Sequence, residues 1–313
     1  MSHLKSIGVI VPVFNESVNL RKFVERLESV TTSMSNYNWH YIFVNDGSQD
    51  NSWAILHELS LKYQKIIALD LSRNFGKEIA LTAGVHETAV DIDAVICMDA
   101  DLQHPPELIP QLITAWEQGA EIVITCRQSI QEQPLLRRLG SYVFYWFMNK
   151  ISDIKMLPQT TDYRLFDKKV IFFFKQIKEQ KRMFRGLLDW MGFRSTIVNF
   201  HADARQGGEA GYSYSKLIRL SLDAFTSFSL FPLRLISYLG IVVSLVSSIL
   251  LSIMLIIRFF INAKLFTGLA FLAVGNTLLM GIILVGVGLV AMYVGKIHIE
   301  VLGRPLYIIR ERL

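Results

Sequence analysis

The first half of the chain alternates between short apolar runs and stretches whose apolar residues recur at helical spacing. Runs such as SIGVIVPV at residues 6–13 suit a strand that is buried on both faces. The pattern predicts strands at residues 6–13, 39–45, 66–71, 94–98 and 121–126. Helices are predicted at residues 20–30, 53–59, 76–86 and 106–118, and less regular ones at 135–151, 168–177 and 183–191. This alternation is typical of an α/β domain with a mostly parallel sheet and helices on both faces.

The last third of the chain has a different hydrophobic pattern. Residues 215–231 place their apolar side chains on one helical face, which fits a helix lying in a membrane interface or an amphipathic helix packed on the domain. Residues 235–257 and 265–295 are uncharged, and each stretch is long enough to cross a bilayer. We therefore predict a domain at 1–214, an interfacial helix at 215–231 and a membrane domain with two crossings at 232–313.

The basic residues around these two stretches predict an orientation. Arg234 precedes the first crossing and the tail after the second is basic, whereas the connection carries Arg258 and Lys264. The positive-inside rule then places the tail and the N-terminal domain in the cytoplasm, and it predicts a multi-pass protein of the cytoplasmic (inner) membrane. Glycines in the second stretch would let helices approach closely, so a homo-oligomer through the membrane helices is conceivable.

Charge and cysteine content narrow the possible partners. The 313 residues carry a formal net charge of +5, which fits anionic partners such as a nucleotide diphosphate, a lipid phosphate or an anionic membrane surface. No nucleic-acid motif accompanies this charge, so nucleic acid is not an expected partner. The two cysteines have no zinc-ligand spacing and are expected to be reduced thiols of the domain core.

Polar residues follow the predicted strands at the points where those strands end. In parallel sheets, ligands bind outside the carboxyl ends of the strands. The pair Asn15-Glu16, the carboxylate of Asp46 and the pair Asp99 and Asp101 all occupy such positions. We therefore expect them to converge on one cleft.

The segment DADLQ at residues 99–103 carries the strongest chemical signal. Two carboxylates two residues apart, with the Gln103 amide nearby, can hold Mg²⁺ or Mn²⁺, with phosphate oxygens filling the remaining positions. Taken alone, an Asp-X-Asp segment is also compatible with a solvated loop. Its place after the fourth predicted strand favours the metal site.

Three further segments offer contacts to a nucleotide. Asp46 can accept a hydrogen bond from a base N–H, although Asp-Gly is also a common turn pair. Phe14 can wall the base and Glu16 can contact base or ribose, although Asn15 and Ser17 would also suit a helix cap. In SRNFGKE at residues 72–78 a basic side chain can approach phosphate, or the segment is a helix-start turn with solvated charges.

In this order and spacing, the motifs resemble the polyprenyl-phosphate glycosyltransferases of glycosyltransferase family 2. That group includes bactoprenol glucosyltransferases and dolichyl-phosphate mannose synthases. The matching segments are PVFNE at 12–16, NDGSQD at 45–50, SRNFGKE at 72–78, DADLQHPPE at 99–107, DYRL at 162–165 and RQGGE at 205–209. The resemblance covers nearly the whole chain.

The resemblance implies a GT-A fold and a role for individual residues. It implies that Asp99, Asp101 and Gln103 bind the metal and that Arg205 meets the phosphate of the acceptor lipid. Donor-binding residues implied in the same way are Pro12, Phe14, Glu16, Val44, Asp46, Asp99, Ala100, Asp101 and Arg127. The implied reaction inverts the anomeric carbon in a single displacement, with Asp162 near the reaction centre as an orienting group or weak base, unless it is purely structural.

The acceptor phosphate needs cationic side chains. Candidates for this cationic lining are Arg127, Arg137, Arg138, Arg205 and Lys216. The family usually has a lysine where this chain has Gly211, so Lys216 would have to substitute for it. Asn45 stands where an aspartate is common, which leaves Asp46 as the carboxylate of that motif. His104, beside the metal motif, is expected to be a bystander.

The predicted function is transfer of a sugar from a nucleotide-sugar, UDP-linked by preference, to polyprenyl (undecaprenyl) phosphate, with Mg²⁺ or Mn²⁺ as cofactor. The lipid-linked sugar would serve cell-envelope glycan modification. A processive polysaccharide synthase is an alternative, but it would need more membrane crossings and usually a Gln-X-X-Arg-Trp motif. A non-catalytic membrane scaffold or flippase subunit is another, but a scaffold has no need to keep Asp46, Asp99, Asp101 and Arg205 together.

Overall fold

The computed structural model describes residues 4–127, 160–180, 182–200 and 268–313, together with the isolated positions 249, 256 and 260. Its strands are β1 (Lys5–Val13), β2 (Tyr37–Asn45), β3 (Ile66–Leu71), β4 (Ala94–Cys97), β5 (Ile122–Arg127), β6 (Thr160–Asp167), β7 (Ser195–Phe200) and β8 (Ile309–Arg312). Its α-helices, numbered among the described residues, are α1 (Leu20–Thr32), α2 (Ser52–Lys62), α3 (Lys77–His86), α4 (Ile109–Glu117), α5 (Lys168–Gln176), α6 (Phe184–Trp190) and α7 (Gly268–Leu302). A 3₁₀ turn, Pro106–Leu108, leads into α4.

The described strands form one sheet in the order β7-β5-β6-β4-β1-β2-β3-β8. The central strands β4, β1, β2 and β3 are parallel to one another, as are β5 and β7. β6 runs antiparallel between β4 and β5, and β8 runs antiparallel along β3. The α/β class with a mostly parallel sheet is therefore confirmed, and it fits the GT-A expectation.

The core lies on both faces of this sheet, which explains why the central strands are continuously apolar. Eight of the nine residues of β1 are buried. Ile7, Val9 and Val11 belong to one apolar cluster, which packs with α1, α2 and α4. Ile10 belongs to the second cluster on the other face, together with side chains of α3, α5 and α6.

The predicted elements agree with the structure to within a few residues, but three strands were missed. β6 and β7 lie in the part of the chain whose pattern is irregular, and β8 lies in the predicted basic tail. Residues 305–313 group with the compact unit that contains the sheet. The predicted division into three parts stays a prediction. The helix predicted at 135–151 lies outside the described residues.

The second compact unit comprises residues 151–153 and 214–304. Its described part is chiefly α7, which overlaps the predicted second crossing. Within the described residues, no helix combines the length and apolarity that a membrane crossing requires, so the two predicted crossings are not confirmed. The predicted interfacial helix at 215–231 and nearly all of 235–257 lie outside the described residues.

Candidate active site

The turns that follow β1 and β2 are fastened to each other by hydrogen bonds. The backbone N–H groups of Asn15, Glu16 and Ser17 donate to Ser48 Oγ, Ser52 Oγ and Asp50 Oδ2, each at 3.0 Å. In return, Asn15 Oδ1 accepts from the backbone N–H of Gln49 at 2.8 Å. Asn15 adopts a φ of 56°, a left-handed conformation that asparagine tolerates better than most residues. The sequence between β1 and α1 therefore forms a fixed turn.

This turn presents Phe14, whose side chain is 46% exposed and accessible to a ligand. Pro12 and Val44 are buried in the adjoining strands, so their side chains could form only the floor beneath a nucleotide. Glu16 is partly buried, and its carboxylate accepts from the Asn19 amide at 2.7 Å. Nucleotide contact by these four residues stays a prediction.

Asp46 ties the β2 turn to the turn that follows β3. Its Oδ1 accepts from the backbone N–H of Phe75 at 2.7 Å, and its Oδ2 accepts from that of Gly76 at 2.9 Å. Asp46 is only 3% exposed, and this burial raises its pKa despite the two hydrogen bonds. In this structure Asp46 therefore fixes a neighbouring loop, and the contact with a base N–H stays a prediction.

Gly47 allows these two turns to approach each other. Its φ is +67°, and a Cβ at this position would lie 2.6 Å from the backbone carbonyl carbon of Arg73 and the backbone nitrogen of Asn74. Any side chain here would push the β2 and β3 turns apart. Gly192 provides a comparison, because its φ is +69° with no atom within 4 Å of the Cβ position.

We expect Gly47→Ala to destabilise the domain by about 3 kcal/mol, the sum of left-handed strain and steric overlap. Gly192→Ala should cost only the strain, about 1 kcal/mol. Thermal unfolding midpoints of the two variants test this. An equal decrease of the midpoint in both would show that the close approach at Gly47 does not add to the free-energy cost of the substitution.

Lys77, the first residue of α3, bridges two carboxylates. Its Nζ lies 2.7 Å from Asp99 Oδ1, 2.9 Å from Asp99 Oδ2 and 2.8 Å from Asp162 Oδ2. Its partly buried position opposes the charged form, but the two carboxylates outweigh this effect and raise the pKa of Lys77. The ammonium therefore stays charged, and three strand ends meet at this point.

The antiparallel course of β6 explains how Asp162 reaches this cluster. β6 pairs with β4 so that Arg164 lies opposite Cys97, and the same register brings Asp162 beside Asp99. Arg185 of α6 holds the other side of Asp162, with its Nε 3.1 Å from Oδ1. Burial alone would raise the pKa of Asp162, but Lys77 and Arg185 lower it to about 2. Asp162 is therefore ionised at neutral pH and poorly suited to take up a proton.

Glu78 places Arg185. The Glu78 carboxylate accepts from the backbone N–H of Phe184, the first residue of α6. Burial raises the pKa of Glu78, and the nearby Asp162 adds to this effect. The neighbouring residues Lys77 and Glu78 thus have different roles. Lys77 binds the two carboxylates, and Glu78 fixes the helix that carries Arg185.

The DADLQ segment turns sharply at Leu102. This residue is 3% exposed and has a φ of 63°, which is unusual for a bulky side chain. Asp101 Oδ1 accepts from the backbone N–H of Gln103 at 3.1 Å. Gln103 Oε1 lies 3.5 Å from Arg127 Nη1, at the outer limit of a hydrogen bond. Ala100, between the carboxylates, is buried at 2% exposure.

This donor set fits a small divalent cation that shares its coordination with phosphate. The described residues contain no group of three or more His, Cys, Asp or Glu side chains that could enclose a metal. Mg²⁺ needs no such cage, since one or two carboxylates plus substrate phosphates suffice. Asp99, Asp101 and Gln103 supply only oxygen atoms, the donor type that Mg²⁺ and Mn²⁺ prefer.

Arg127 carries a donor suited to an anion. It is the last residue of β5 and lies beside Gln103, and its buried Nε is without a hydrogen-bond partner among the described residues. A buried guanidinium N–H is costly to leave unpaired. The geometry is compatible with the predicted contact between Arg127 and donor phosphates.

His104 has a structural role. Its Nδ1 accepts from the backbone N–H of Asp99 at 3.0 Å, and its ring stacks on Tyr163 with centroids 5.1 Å apart. Burial lowers the pKa of His104, which fits a neutral acceptor at Nδ1. His104 therefore holds the backbone of the metal motif in place.

The structure connects most of the predicted residues and adds several that the sequence analysis did not single out. Hydrogen bonds link the turn after β1 to the turn after β2, Asp46 links the β2 turn to the β3 turn, and Lys77 links the β3 turn to Asp99 after β4. These turns therefore lie at one edge of the sheet, and the binding roles of their residues stay predictions. The added residues are Glu78 and Arg185, and only the resemblance pointed towards Glu78. Arg137, Arg138, Arg205 and Lys216 lie outside the described residues.

Comparison with known proteins establishes the family of this chain. The model of Glycosyl transferase family 2 matches residues 8–175. The uncharacterized glycosyltransferase YkcC of Bacillus subtilis (strain 168) is 37% identical over 311 residues, covering 99% of this chain and 95% of its own. The SfII prophage-derived bactoprenol glucosyl transferase of Shigella flexneri is 35% identical over 305 residues, covering 97% of each chain.

The family match carries more weight than the similarity to a solved structure. The S. aureus TarS fragment in complex with UDP-GlcNAc aligns with a TM-score of 0.47 and 13% identity, covering 72% of this chain and 68% of that one. Similarity at that level supports no inference about function. The family model, by contrast, spans more than half of the chain, and the two relatives align over nearly all of it. On this evidence the chain belongs to glycosyl transferase family 2.

Proposed function

We propose that this chain transfers a sugar from a nucleotide-sugar, UDP-linked by preference, to a polyprenyl phosphate such as undecaprenyl phosphate. The observation that carries the proposal is the cluster of Asp99, Lys77, Asp162 and Arg185 beside the fastened turns after β1 and β2. Its cations suit an anionic donor and an anionic acceptor. The names of the bactoprenol glucosyl transferases, which align over almost the entire chain, support the lipid acceptor.

The acceptor in this reaction would attack through a phosphate oxygen. A phosphate monoester has a second pKa of about 6 and is largely dianionic at neutral pH, so it needs little help from a general base. What it needs is orientation and charge compensation. The low pKa of Asp162 fits this scheme, because Asp162 then holds Lys77 and Arg185 in place without accepting a proton.

Different residues of the chain would bind the sugar donor and the acceptor. Phe14 and the β2 turn would hold the nucleotide, while Arg127 would donate to the diphosphate. A Mg²⁺ or Mn²⁺ ion held by Asp99, Asp101 and Gln103 would supply charge neutralisation for the departing diphosphate. Lys77 lies between this cation site and Asp162, so it can donate to an oxyanion on either side. Attack opposite the leaving group inverts the anomeric carbon.

The membrane part of the proposal comes from the sequence. Residues 235–257 and 265–295 contain no charged side chain, and basic residues flank them. We propose that they hold the enzyme at the cytoplasmic membrane, with the catalytic domain in the cytoplasm, where a long lipid can present its phosphate. Association of these helices into a homo-oligomer, and use of the product in cell-envelope glycan modification, belong to the same proposal.

The test is a transfer reaction with the full-length protein in lipid nanodiscs. A panel of nucleotide-sugars is combined with undecaprenyl phosphate and Mn²⁺, and the lipid is analysed by mass spectrometry. We expect one nucleotide-sugar to give a lipid heavier by a single sugar, and removal of the metal by EDTA to lower the rate at least about tenfold. A ladder of products would indicate a processive synthase. No product from any donor would indicate a non-catalytic scaffold.

A further inference from the structure

Strand β8 brings a distant part of the chain to the edge of the catalytic sheet. The backbone of Leu313 exchanges hydrogen bonds with Ala68 at 2.9 and 3.2 Å, and Ser72 N–H donates to the carbonyl of Ile308 at 2.9 Å. Tyr307 and Ile309 pack against the apolar cluster beneath β3. This segment is thus part of the catalytic domain, although β8 follows α7 by only six residues.

The ladder between β8 and β3 contains an irregularity at Arg310. Asp70 pairs with Glu311 and Leu71 pairs with Ile309, so Arg310 has no residue opposite it. This is the arrangement of a β-bulge, in which the extra residue re-aims its side chain. Arg310 uses it to reach back across β3, where Nη1 lies 3.3 Å from Asp70 Oδ2 and Nη2 donates to the carbonyl of Ser72.

The partner of Arg310 is a buried carboxylate that the catalytic scheme does not use. Asp70 is 4% exposed, and its second oxygen accepts from the Asn45 side-chain amide at 2.7 Å. Asn45 is itself buried, and its Oδ1 faces the backbone N–H of Ser48 at 3.4 Å. One carboxylate therefore connects the bulge on β8 to the turn that follows β2.

That turn holds the nucleotide side of the site together. Asp46 follows Asn45 directly and fastens Phe75 and Gly76, which immediately precede Lys77. A buried carboxylate that loses its cation becomes costly and changes its hydrogen bonds. Loss of the Arg310 charge would therefore first change the hydrogen bond between Asp70 and Asn45, and then the hydrogen bonds that Asp46 accepts.

Resting on the proposed function, we propose that Arg310 is a positioning residue for the nucleotide pocket. It compensates the charge of Asp70, which orients Asn45 and keeps the β2 turn in the shape that lets Asp46 hold the β3 turn. The amide of Asn45 suits this geometry, because an aspartate at position 45 would place two carboxylates in contact here.

The test uses Arg310→Gln in the full-length protein, with Arg312→Gln as the matched control. Arg312 lies in the same strand and is about as exposed as Arg310, 55% against 61%, but its partner Glu87 is 24% exposed whereas the Asp70 side chain is 5% exposed. We expect Arg310→Gln to weaken binding of UDP about tenfold, the loss of one charge-assisted hydrogen bond to a buried partner. The KM for nucleotide-sugar should rise with it, while the KM for undecaprenyl phosphate and kcat change little. Arg312→Gln should leave all of these values unchanged.

A second variant separates positioning from mere stability. In the double variant Asp70→Asn with Arg310→Gln the buried charge is gone, and the amide oxygen introduced at position 70 can still accept from Asn45. We expect this double variant to bind UDP within about threefold of the wild type, tighter than Arg310→Gln alone. If Arg310 only stabilised the fold, the thermal midpoint would fall in Arg310→Gln and recover in the double variant, while the UDP affinity of the folded proteins stayed at the wild-type value. UDP affinity unchanged in folded Arg310→Gln, or no recovery in the double variant, would overturn the proposal.

Deuterium exchange of peptides covering residues 72–78 tests, without any nucleotide, whether the loss of Arg310 loosens the β3 turn that Asp46 holds. Exchange at Phe75 and Gly76 should be faster in Arg310→Gln and unchanged in Arg312→Gln. If the wild type binds no nucleotide, the proposed function fails. The exchange result still shows whether Arg310 positions the β3 turn. Equal exchange in all proteins would show that Arg310 does not act on these turns.

Discussion

Replacing Lys77 with methionine is expected to lower kcat/KM about a thousandfold, the upper end of the loss seen when one preorganised donor to a developing oxyanion is removed. Lys77 is the cation that separates Asp99 from Asp162, and it approaches both oxygens of Asp99 within 2.9 Å. Methionine keeps the unbranched apolar stem without the ammonium group, and it leaves two carboxylates facing each other. Initial rates with the donor identified in the transfer reaction measure the effect.

The affinity for metal should move in the opposite direction. In the absence of nucleotide, Lys77 competes with a divalent cation for Asp99, so Lys77→Met should bind Mn²⁺ more tightly even though turnover falls. Lys168→Met is the control, because Lys168 is 63% exposed and pairs with Asp93 at the other end of β4. If metal affinity and turnover fall together, Lys77 serves to shape the metal site and not to stabilise transferred charge.

Asp162→Asn is expected to lower kcat by about two orders of magnitude, because Lys77 and Arg185 lose the anion that orients both of them. The dependence on pH distinguishes this role from that of a base. The pKa of Asp162 is lowered to about 2, so the carboxylate is ionised throughout pH 5 to 9. An acid limb near pH 6 would belong to the acceptor phosphate and should persist in the variant.

The opposite result would identify Asp162 as a base. In that case the acid limb would vanish in Asp162→Asn, and the residual rate would no longer depend on pH. Comparison of kcat between pH 5 and 9 for both proteins decides this point. Asp162→Ala would be a weaker test, because it also removes the shape of the side chain.

The depressed pKa of Asp162 also predicts how stability depends on pH. The folded state binds this proton less readily than the unfolded state, whose carboxyl has a pKa of about 4. The stabilising effect is therefore complete above about pH 4 and is lost as the pH falls towards 2. Thermal midpoints of the wild type and Asp162→Asn should differ at pH 6 and converge at low pH.

Strands buried on both faces could be predicted well from the sequence. β1 to β5 are short apolar runs, and their predicted bounds differ from the structure by at most two residues. β6 was missed because it begins with polar residues that serve the active site, and β7 because most of its residues are exposed. β8 was missed because its partner strand lies far away in the chain, which no local pattern records.

The candidate site was predictable where its residues follow strand ends, and not where it depends on partners. Position along the chain was enough to bring Asp46, Asp99 and Asp101 to one edge. The contacts of Asp46 with the backbone of Phe75 and Gly76 could not be predicted, because nothing in the sequence shows that the β3 turn approaches this carboxylate. The contact between Lys77 and Asp162 spans 85 residues, so only the fold makes it visible.

Pairing between β8 and β3 has a consequence for biosynthesis. Arg310 and Asp70 are separated by 240 residues, so a ribosome finishes the rest of the sheet long before its outer strand emerges. Until then the edge of β3 offers unpaired N–H and C=O groups, the kind of surface on which nascent chains join one another. Premature termination before residue 309 would leave that edge unpaired. We expect such truncated chains to aggregate more readily than the full-length protein.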